Sequence, residues 1–452
     1  MMKTLTKGKM WLFAVGQFGW AMLSGLIGSW LVYFYQPDAG SIAAGQIPLI
    51  PQGRVVFGVL TVIGCITAFG RIFDAVTDPL LAAMSDKCRS KQGRRIPFLK
   101  WSAVPFAVST VLVFCAPFGQ ESGANAAWLF VFIALYYLFI TAYCTPYTAL
   151  YSELGHTQEE RMATSTAISL TFIAGTAVAY VAPTLWGIFE PSMGRIPAMR
   201  LAFTILACIA VICLFFPVIF INEKDYVDVQ PSQSSAFQSF KTTFKNKDFR
   251  IFVGSDIFYW IALTMFQTGL PFFITVLMGL PESYFTPMFI GMTVMSLVFY
   301  LPINFATKKF GKKRMVIFAF ALFTLTYIFT AASGSALHIP AIAQGIIMIL
   351  AGSLPMAIFG ILPQAMVADI ADYDAGKTGE NRQGMFFAVR TFCFKLGQSL
   401  AMLLFTSLAT IGVQSGNGYR IVAALSAVLC CTGGIILAFF NEKKITSGIE
   451  GK

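Results

Sequence analysis

An all-α membrane protein, with twelve transmembrane helices in two six-helix halves, is the fold this sequence predicts, on three observations. Of its 452 residues 57% are hydrophobic and only 12% charged, about half the charged share of an ordinary soluble chain. Apolar runs long enough to span a bilayer recur along the chain, six before a polar stretch at 222–250 and six after it. A basic, glycine-containing loop follows the second run of each half. It reads Ser85-Asp86-Lys87 with Gly93-Arg94-Arg95 in the first, and Lys308-Lys309-Phe310-Gly311-Lys312-Lys313-Arg314 in the second. Its recurrence at matching positions marks an internal repeat.

The first six spans are placed near 10–35, 55–84, 99–118, 127–150, 163–189 and 199–221. The other six are placed near 251–279, 286–306, 315–332, 339–362, 385–411 and 420–440. The first run follows Lys3, Lys7 and Lys9 but continues to Tyr35 without a small-residue cleavage site, so it reads as a spanning helix and not a signal peptide. Residues 1–221 are then the N-terminal half, 222–250 a cytoplasmic linker, 251–441 the C-terminal half and 442–452 a cytoplasmic tail. With both termini cytoplasmic, Lys and Arg concentrate on that side and only Arg54, Arg195, Arg200 and Arg420 lie opposite, as the positive-inside rule requires.

A net charge of +11 does not imply nucleic acid, because the bases sit in short blocks between apolar runs. All nine cysteines except Cys88 fall in apolar segments, where they act as small hydrophobes and not as a disulfide framework. The two histidines, His156 and His338, fall in expected loops, and no HExxH, GxSxG or Walker-type glycine loop is present. The chain therefore does not read as an enzyme and calls for no cofactor and no metal beyond a transported cation.

Function is concentrated in the few ionisable residues inside the apolar runs. Arg71, Asp74 and Asp78, the last followed by Pro79, fall within about 60° of one helix face. With the run taken as 55–84, its midpoint lies near Arg71 and Asp74 is about 6 Å away. A carboxylate at that depth costs on the order of 3 kcal/mol or more unless it meets protein, water or a cation. The stripe reads as a cation site; the alternative is a helix that tilts or ends early, leaving both acids among headgroups and paired with the basic loop. In the fourth span Thr141-Ala-Tyr143-Cys144-Thr145-Pro146-Tyr147 sets hydroxyls beside a proline-freed carbonyl, a suitable partner for a small hard cation. Thr141 could equally bond its own preceding turn.

The seventh span carries Asp256 and Trp260, able to hold a hydroxyl and stack a ring, although Asp256 lies close enough to Arg250 to be interfacial. In the eleventh span Arg390 and Lys395 lie about 140° apart, so only one faces the bundle centre squarely, and Lys395 is nearer mid-helix. Asp369, Asp372 and Asp374 precede it in what reads as a cytoplasmic loop. That loop is either solvated or a gate that pairs with the basic loops of Asp86, Arg94 and Arg95.

Two separated motifs in register, Arg71-x-x-Asp74-x-x-x-Asp78-Pro79 with Gly93-Arg94-Arg95, and Met366-Val-Ala-Asp369-x-x-Asp372-Tyr373 ahead of Lys395, resemble the glycoside-pentoside-hexuronide:cation symporters. This is the melibiose permease-like family of the major facilitator superfamily. The resemblance covers nearly the whole chain and implies the major facilitator fold with alternating access about a central site. It implies that Asp74 and Asp78 bind the coupling cation, Na⁺, Li⁺ or H⁺, that Thr141 adds an oxygen, and that Lys395 and Arg71 couple the cation to the solute. Two carboxylates and two tryptophans of the galactoside site in that family are missing, with Ala21, Cys144, Thr148 and, approximately, Gly360 in their places.

The expectation is a bacterial inner-membrane symporter, acting as a monomer in the lipid bilayer, that imports a saccharide or glycoside but not melibiose-like galactosides. Its pocket is assigned to Trp20, Tyr143, Tyr147, Asp256, Trp260 and Arg390. The alternatives are a carboxylate-bearing sugar derivative, held by Arg390 unless that arginine is structural and pairs with Asp256 or a cytoplasmic acid, and a lipid or lysolipid carrier on the same scaffold.

Overall fold

The computed structural model describes residues 5–154, 158–226, 243–378, 383–413 and 415–450. His156, Lys3, Lys241 and most of the expected linker, 227–242, lie outside the described residues. The chain forms two compact units, Met1–Ser232 and Gln233–Lys452, whose boundary falls in that linker.

The N-terminal unit contains α1 (Lys7–Tyr35), α2 (Val62–Lys87), α3 (Ile96–Val113), α4 (Gly123–Leu154), α5 (Gln158–Ala179), α6 (Ala182–Met193) and α7 (Arg195–Phe220). The C-terminal unit contains α8 (Lys247–Phe272), α9 (Phe285–Phe310), α10 (Lys312–Ala332), α11 (Ala341–Thr378), α12 (Gln383–Ala409), α13 (Asn417–Ala438) and α14 (Glu442–Glu450). Eleven described spans are long and apolar enough to cross a membrane, with α5 and α6 together forming one of them. Helix α2 adds a twelfth, and every 18-residue stretch of it contains Arg71, Asp74 and Asp78.

The two units repeat one packing scheme. In the first, α1 packs on α5 and α7, α4 on α2 and α3, and α3 on α7. In the second, α8 packs on α12 and α13, α11 on α9 and α10, and α10 on α13. The same five pairings thus join the corresponding spans, which is the structural form of the repeat seen in the two basic loops.

Several ends differ from expectation. The second span begins at Val62 and not near 55, because Phe57 and Gly58 have positive φ, 52° and 70°, and Thr61 caps α2 by accepting from the Gly64 amide at 3.1 Å. The expected fifth span is divided at Tyr180 and Val181, with Pro183 opening the second piece. The tenth expected span does not end near 362. Helix α11 runs through Pro363 to Thr378, so Asp369, Asp372 and Asp374 are helical and not in a loop. The four residues Lys247–Arg250, assigned to the linker, open α8 under an Asn246 cap on the Phe249 amide. The tail from Glu442 is helical and packs on α11.

Candidate functional site

The later start of α2, with its extension to Lys87, moves its centre to between Asp74 and Ala75, so the stripe is even deeper than the apolar run suggested. Ile72, Val76 and Leu80, roughly half-exposed on the opposite side of the helix, mark the lipid-facing surface. Asp74 is buried, and its Oδ1 accepts from Thr141 Oγ1 of α4 at 2.5 Å. One turn on, Asp78 Oδ1 accepts from Thr145 Oγ1 at 3.2 Å. Both helices repeat the spacing i, i+4, so the contact consists of two Asp–Thr rungs about 6 Å apart. Arg71, on the same stripe, lies over the ring of Tyr137 at 5.4 Å from its centroid, a place kept open because Gly70 has no Cβ. Two carboxylates and two hydroxyls from facing helices form an all-oxygen set suited to a small hard cation. Thr145 was not singled out in the sequence; its spacing of four from Thr141, matching that of the two aspartates, is the signal for it.

The pocket residues fall into separate groups. Tyr143 and Tyr147 are buried and donate to the carbonyls of Leu214 and Phe13, each at 2.8 Å, with Tyr147 stacked on Phe13 at 4.4 Å. Trp20 Nε1 donates to Gln17 Oε1 at 3.0 Å. Ala21 is buried where α1 meets α5, close to the point where Gly175 approaches Phe18, so an acid would not fit there without repacking.

In the other unit Arg390 Nε and Nη2 donate to Asp256 Oδ2 and Oδ1 at 2.8 and 3.0 Å, with both side chains about 95% buried. This fork-on-fork pair satisfies each charge with the other and leaves the guanidinium face over Phe252. Trp260 stacks on Phe394 at 4.4 Å and 20°. Lys395, five residues beyond Arg390, is half-buried on a different face of α12.

At the basic loops, each unit closes on itself in the same way. Glu223, just past α7, accepts from the amides of Arg94, Arg95 and Ile96 at 2.8, 2.8 and 3.1 Å. Glu442, at the start of α14, accepts from the amides of Lys312 and Lys313 at 2.7 and 3.1 Å. Each carboxylate sits at the N-terminus of the third helix of its half, where the exposed amides and the helix dipole favour an anion. Gly93 (φ 112°) and Gly311 (φ 85°) make both turns, and a Cβ at either would strike the capping glutamate. Four of the expected gate residues, Asp86, Arg94, Arg95 and Asp369, join these clusters within their own units. Arg95 bridges Asp86 and Glu153, Arg94 reaches Glu153 at 3.3 Å, and Asp369 pairs with Lys312 at 2.5 Å. Glu153, Glu223 and Glu442 were missed in the sequence. The repeated Asn222-Glu223-Lys224 and Asn441-Glu442-Lys443, each directly after the last span of its half, could have revealed two of them.

The sequence profile of the family described as MFS/sugar transport protein matches residues 12–441. The chain belongs to that family. It is therefore a multi-pass membrane transporter of the major facilitator fold and not an enzyme. It is 23% identical to the isoprimeverose transporter of Lactiplantibacillus pentosus, covering 92% of this chain and 82% of that one. It is 24% identical to the putative glycoside/cation symporter YagG of Escherichia coli (strain K12), over 84% and 82%. It is also 23% identical to the sodium-dependent lysophosphatidylcholine symporter 1 of Xenopus tropicalis, over 76% and 71%. The fold is similar to that of the nucleoside transporter NupG, with a TM-score of 0.70 at 16% identity, covering 96% of this chain and all of that one.

Proposed function

We propose that this transporter is a symporter that couples entry of Na⁺, Li⁺ or H⁺ to import of a neutral saccharide or glycoside. The observation that carries the coupling is the pair of Asp–Thr rungs at the centre of α2, Asp74 with Thr141 and Asp78 with Thr145. Two carboxylates in mid-membrane are sustained by a cation, and binding of that cation changes the energy of the helices that hold them. Arg71 and Lys395 are the residues through which that change reaches the solute. The relatives named for isoprimeverose and for glycoside/cation symport support a saccharide. The closed Asp256–Arg390 pair supports a neutral solute over an acidic one, because recruiting the arginine to a carboxylate would leave Asp256 buried and uncompensated.

A lysolipid is the second reading, favoured by the lysophosphatidylcholine symporter and by an apolar groove of about 510 Å³ between α10 and α13, lined by Thr324, Ile328, Ala427 and Val428. The same proposal locates the chain in a bacterial inner membrane as a monomer, and the excess of Lys and Arg in the basic loops supports a cytoplasmic position for those loops and for both termini. Uptake by proteoliposomes of isoprimeverose, melibiose, a glucuronide and lysophosphatidylcholine, with and without an inward Na⁺ gradient, tests the whole reading. Gradient-driven isoprimeverose uptake with little melibiose uptake is expected. Uptake of lysophosphatidylcholine alone would replace the saccharide reading with the lipid one.

A further inference from the structure

Helices α8 and α12 meet along a seam whose contacts follow a spacing of about four residues: Asp256 with Arg390, Trp260 with Phe394, Thr268 with Met402, and Phe272 with Phe405. Among the described residues of these helices, three buried side-chain polar atoms have no hydrogen-bond partner: Trp260 Nε1, Gln398 Oε1 and Ser407 Oγ. Gln398 lies one turn from Phe394 and one turn from Met402, which puts it level with Thr264. The Thr264 hydroxyl is turned back to the Trp260 carbonyl at 2.7 Å and offers Gln398 nothing. Ser407, nine residues further, is about 180° around α12 and outside the seam. The seam therefore holds one orphaned donor and one orphaned acceptor on adjacent levels, beside an aromatic pair. Buried polar groups are almost always satisfied in folded proteins, and a hydrocarbon surround makes the exception more costly.

We infer that Trp260 and Gln398 are solute-recognition residues, which take a donor and an acceptor from neighbouring hydroxyls of a neutral saccharide when the seam loosens during transport. This rests on the proposed saccharide function and deepens it. A hydroxyl can both donate and accept, so adjacent hydroxyls satisfy the indole N–H and the amide oxygen together. The apolar ring stack adjoining them suits the C–H face of a sugar. An acidic solute would gain nothing from Arg390, which is held by Asp256 and would leave that carboxylate buried and unpaired if recruited. The Asp256–Arg390 pair then serves as the closed end of the seam and not as a ligand.

Trp260→Phe keeps the ring stack and removes only the N–H, and Gln398→Leu keeps the side-chain volume and removes the amide. In proteoliposomes containing the full chain and given isoprimeverose, melibiose and xylose, each variant should raise KM for the transported sugar about tenfold. The Na⁺ concentration for half-maximal uptake and the thermal midpoint without sugar should stay at the parent values, which a merely structural role would not allow. Gln398→Asn keeps an amide but withdraws it by one methylene, and should give an intermediate KM. Parent KM values in Trp260→Phe and Gln398→Asn would overturn the assignment while leaving saccharide transport standing. Failure of the parent itself to take up any of the three sugars would overturn both.

Discussion

The rungs of α2 and α4 show how far two residue types at one spacing can be read. Asp74 and Asp78 were conspicuous because charge is rare in an apolar run, and their common face follows from helical geometry alone. Thr145 was not, since threonines in spanning helices commonly bond their own backbone, as Thr77 does to the Phe73 and Asp74 carbonyls. Gln398 could not be found at all by pattern, because what distinguishes it is a missing partner. Arg390 and Asp256 read as pocket candidates in the sequence, with a structural pairing of the arginine to Asp256 or to a cytoplasmic acid as the alternative; the fold, which brings together residues 134 apart, shows the pairing with Asp256. That pairing makes a prediction. Asp256→Asn or Arg390→Gln alone should cost about 3 to 5 kcal/mol, because each strands a buried charge, whereas the double variant should cost much less than the sum. Thermal or denaturant unfolding of the four proteins in detergent measures it, and additive losses would mean the two charges do not depend on each other.

At the scale of elements, existence was legible and ends were not. All the expected spans appear as helices, but Val55 to Thr61 is apolar without being helical, since positive φ at Phe57 and Gly58 turns the chain before Thr61 caps α2. The acids after Pro363 read as a loop because they are polar, yet Asp and Tyr on a continuing helix are tolerated wherever they find partners, as Asp369 does in Lys312 and Asp374 in Asn246. The repeated glutamate caps give the second prediction. Glu223→Gln keeps the acceptor shape but loses the charge facing the α3 dipole, and should cost about 1 to 2 kcal/mol, while Glu223→Ala, which leaves three amides uncapped, should cost more. Glu442→Gln and Glu442→Ala should follow the same order on α10. Unfolding measurements in which Glu223→Gln and Glu442→Gln are as stable as the parent would remove charge-assisted capping from the explanation. Beside the second cap, Lys444 donates to Asp248 at 2.7 Å, and that hydrogen bond holds its ammonium above the ordinary lysine pKa.

Across the whole molecule, five equivalent helix pairings in two units carry the repeat that the basic loops only hinted at. Each unit ties its own basic loop to its own last span, which is what rigid halves need if the solute site is to be exposed alternately by their relative motion. The proposed orientation rests on charge. With the basic loops cytoplasmic, single cysteines placed at Arg89 and Lys308 in a chain freed of its own cysteines should resist a membrane-impermeant thiol reagent in intact cells, and one at Gln120 should react. The reverse labelling pattern would invert the topology.

The most direct measurement is Na⁺-gradient-driven solute uptake in proteoliposomes, compared with solute counterflow without a gradient, for the parent, Asp74→Asn, Asp78→Asn and Thr145→Val. If the rungs are the coupling site, the aspartate variants lose concentrative uptake while remaining folded, and Thr145→Val requires several-fold more Na⁺ for half-maximal uptake. Undiminished cation stimulation in both Asp74→Asn and Asp78→Asn would contradict the assignment.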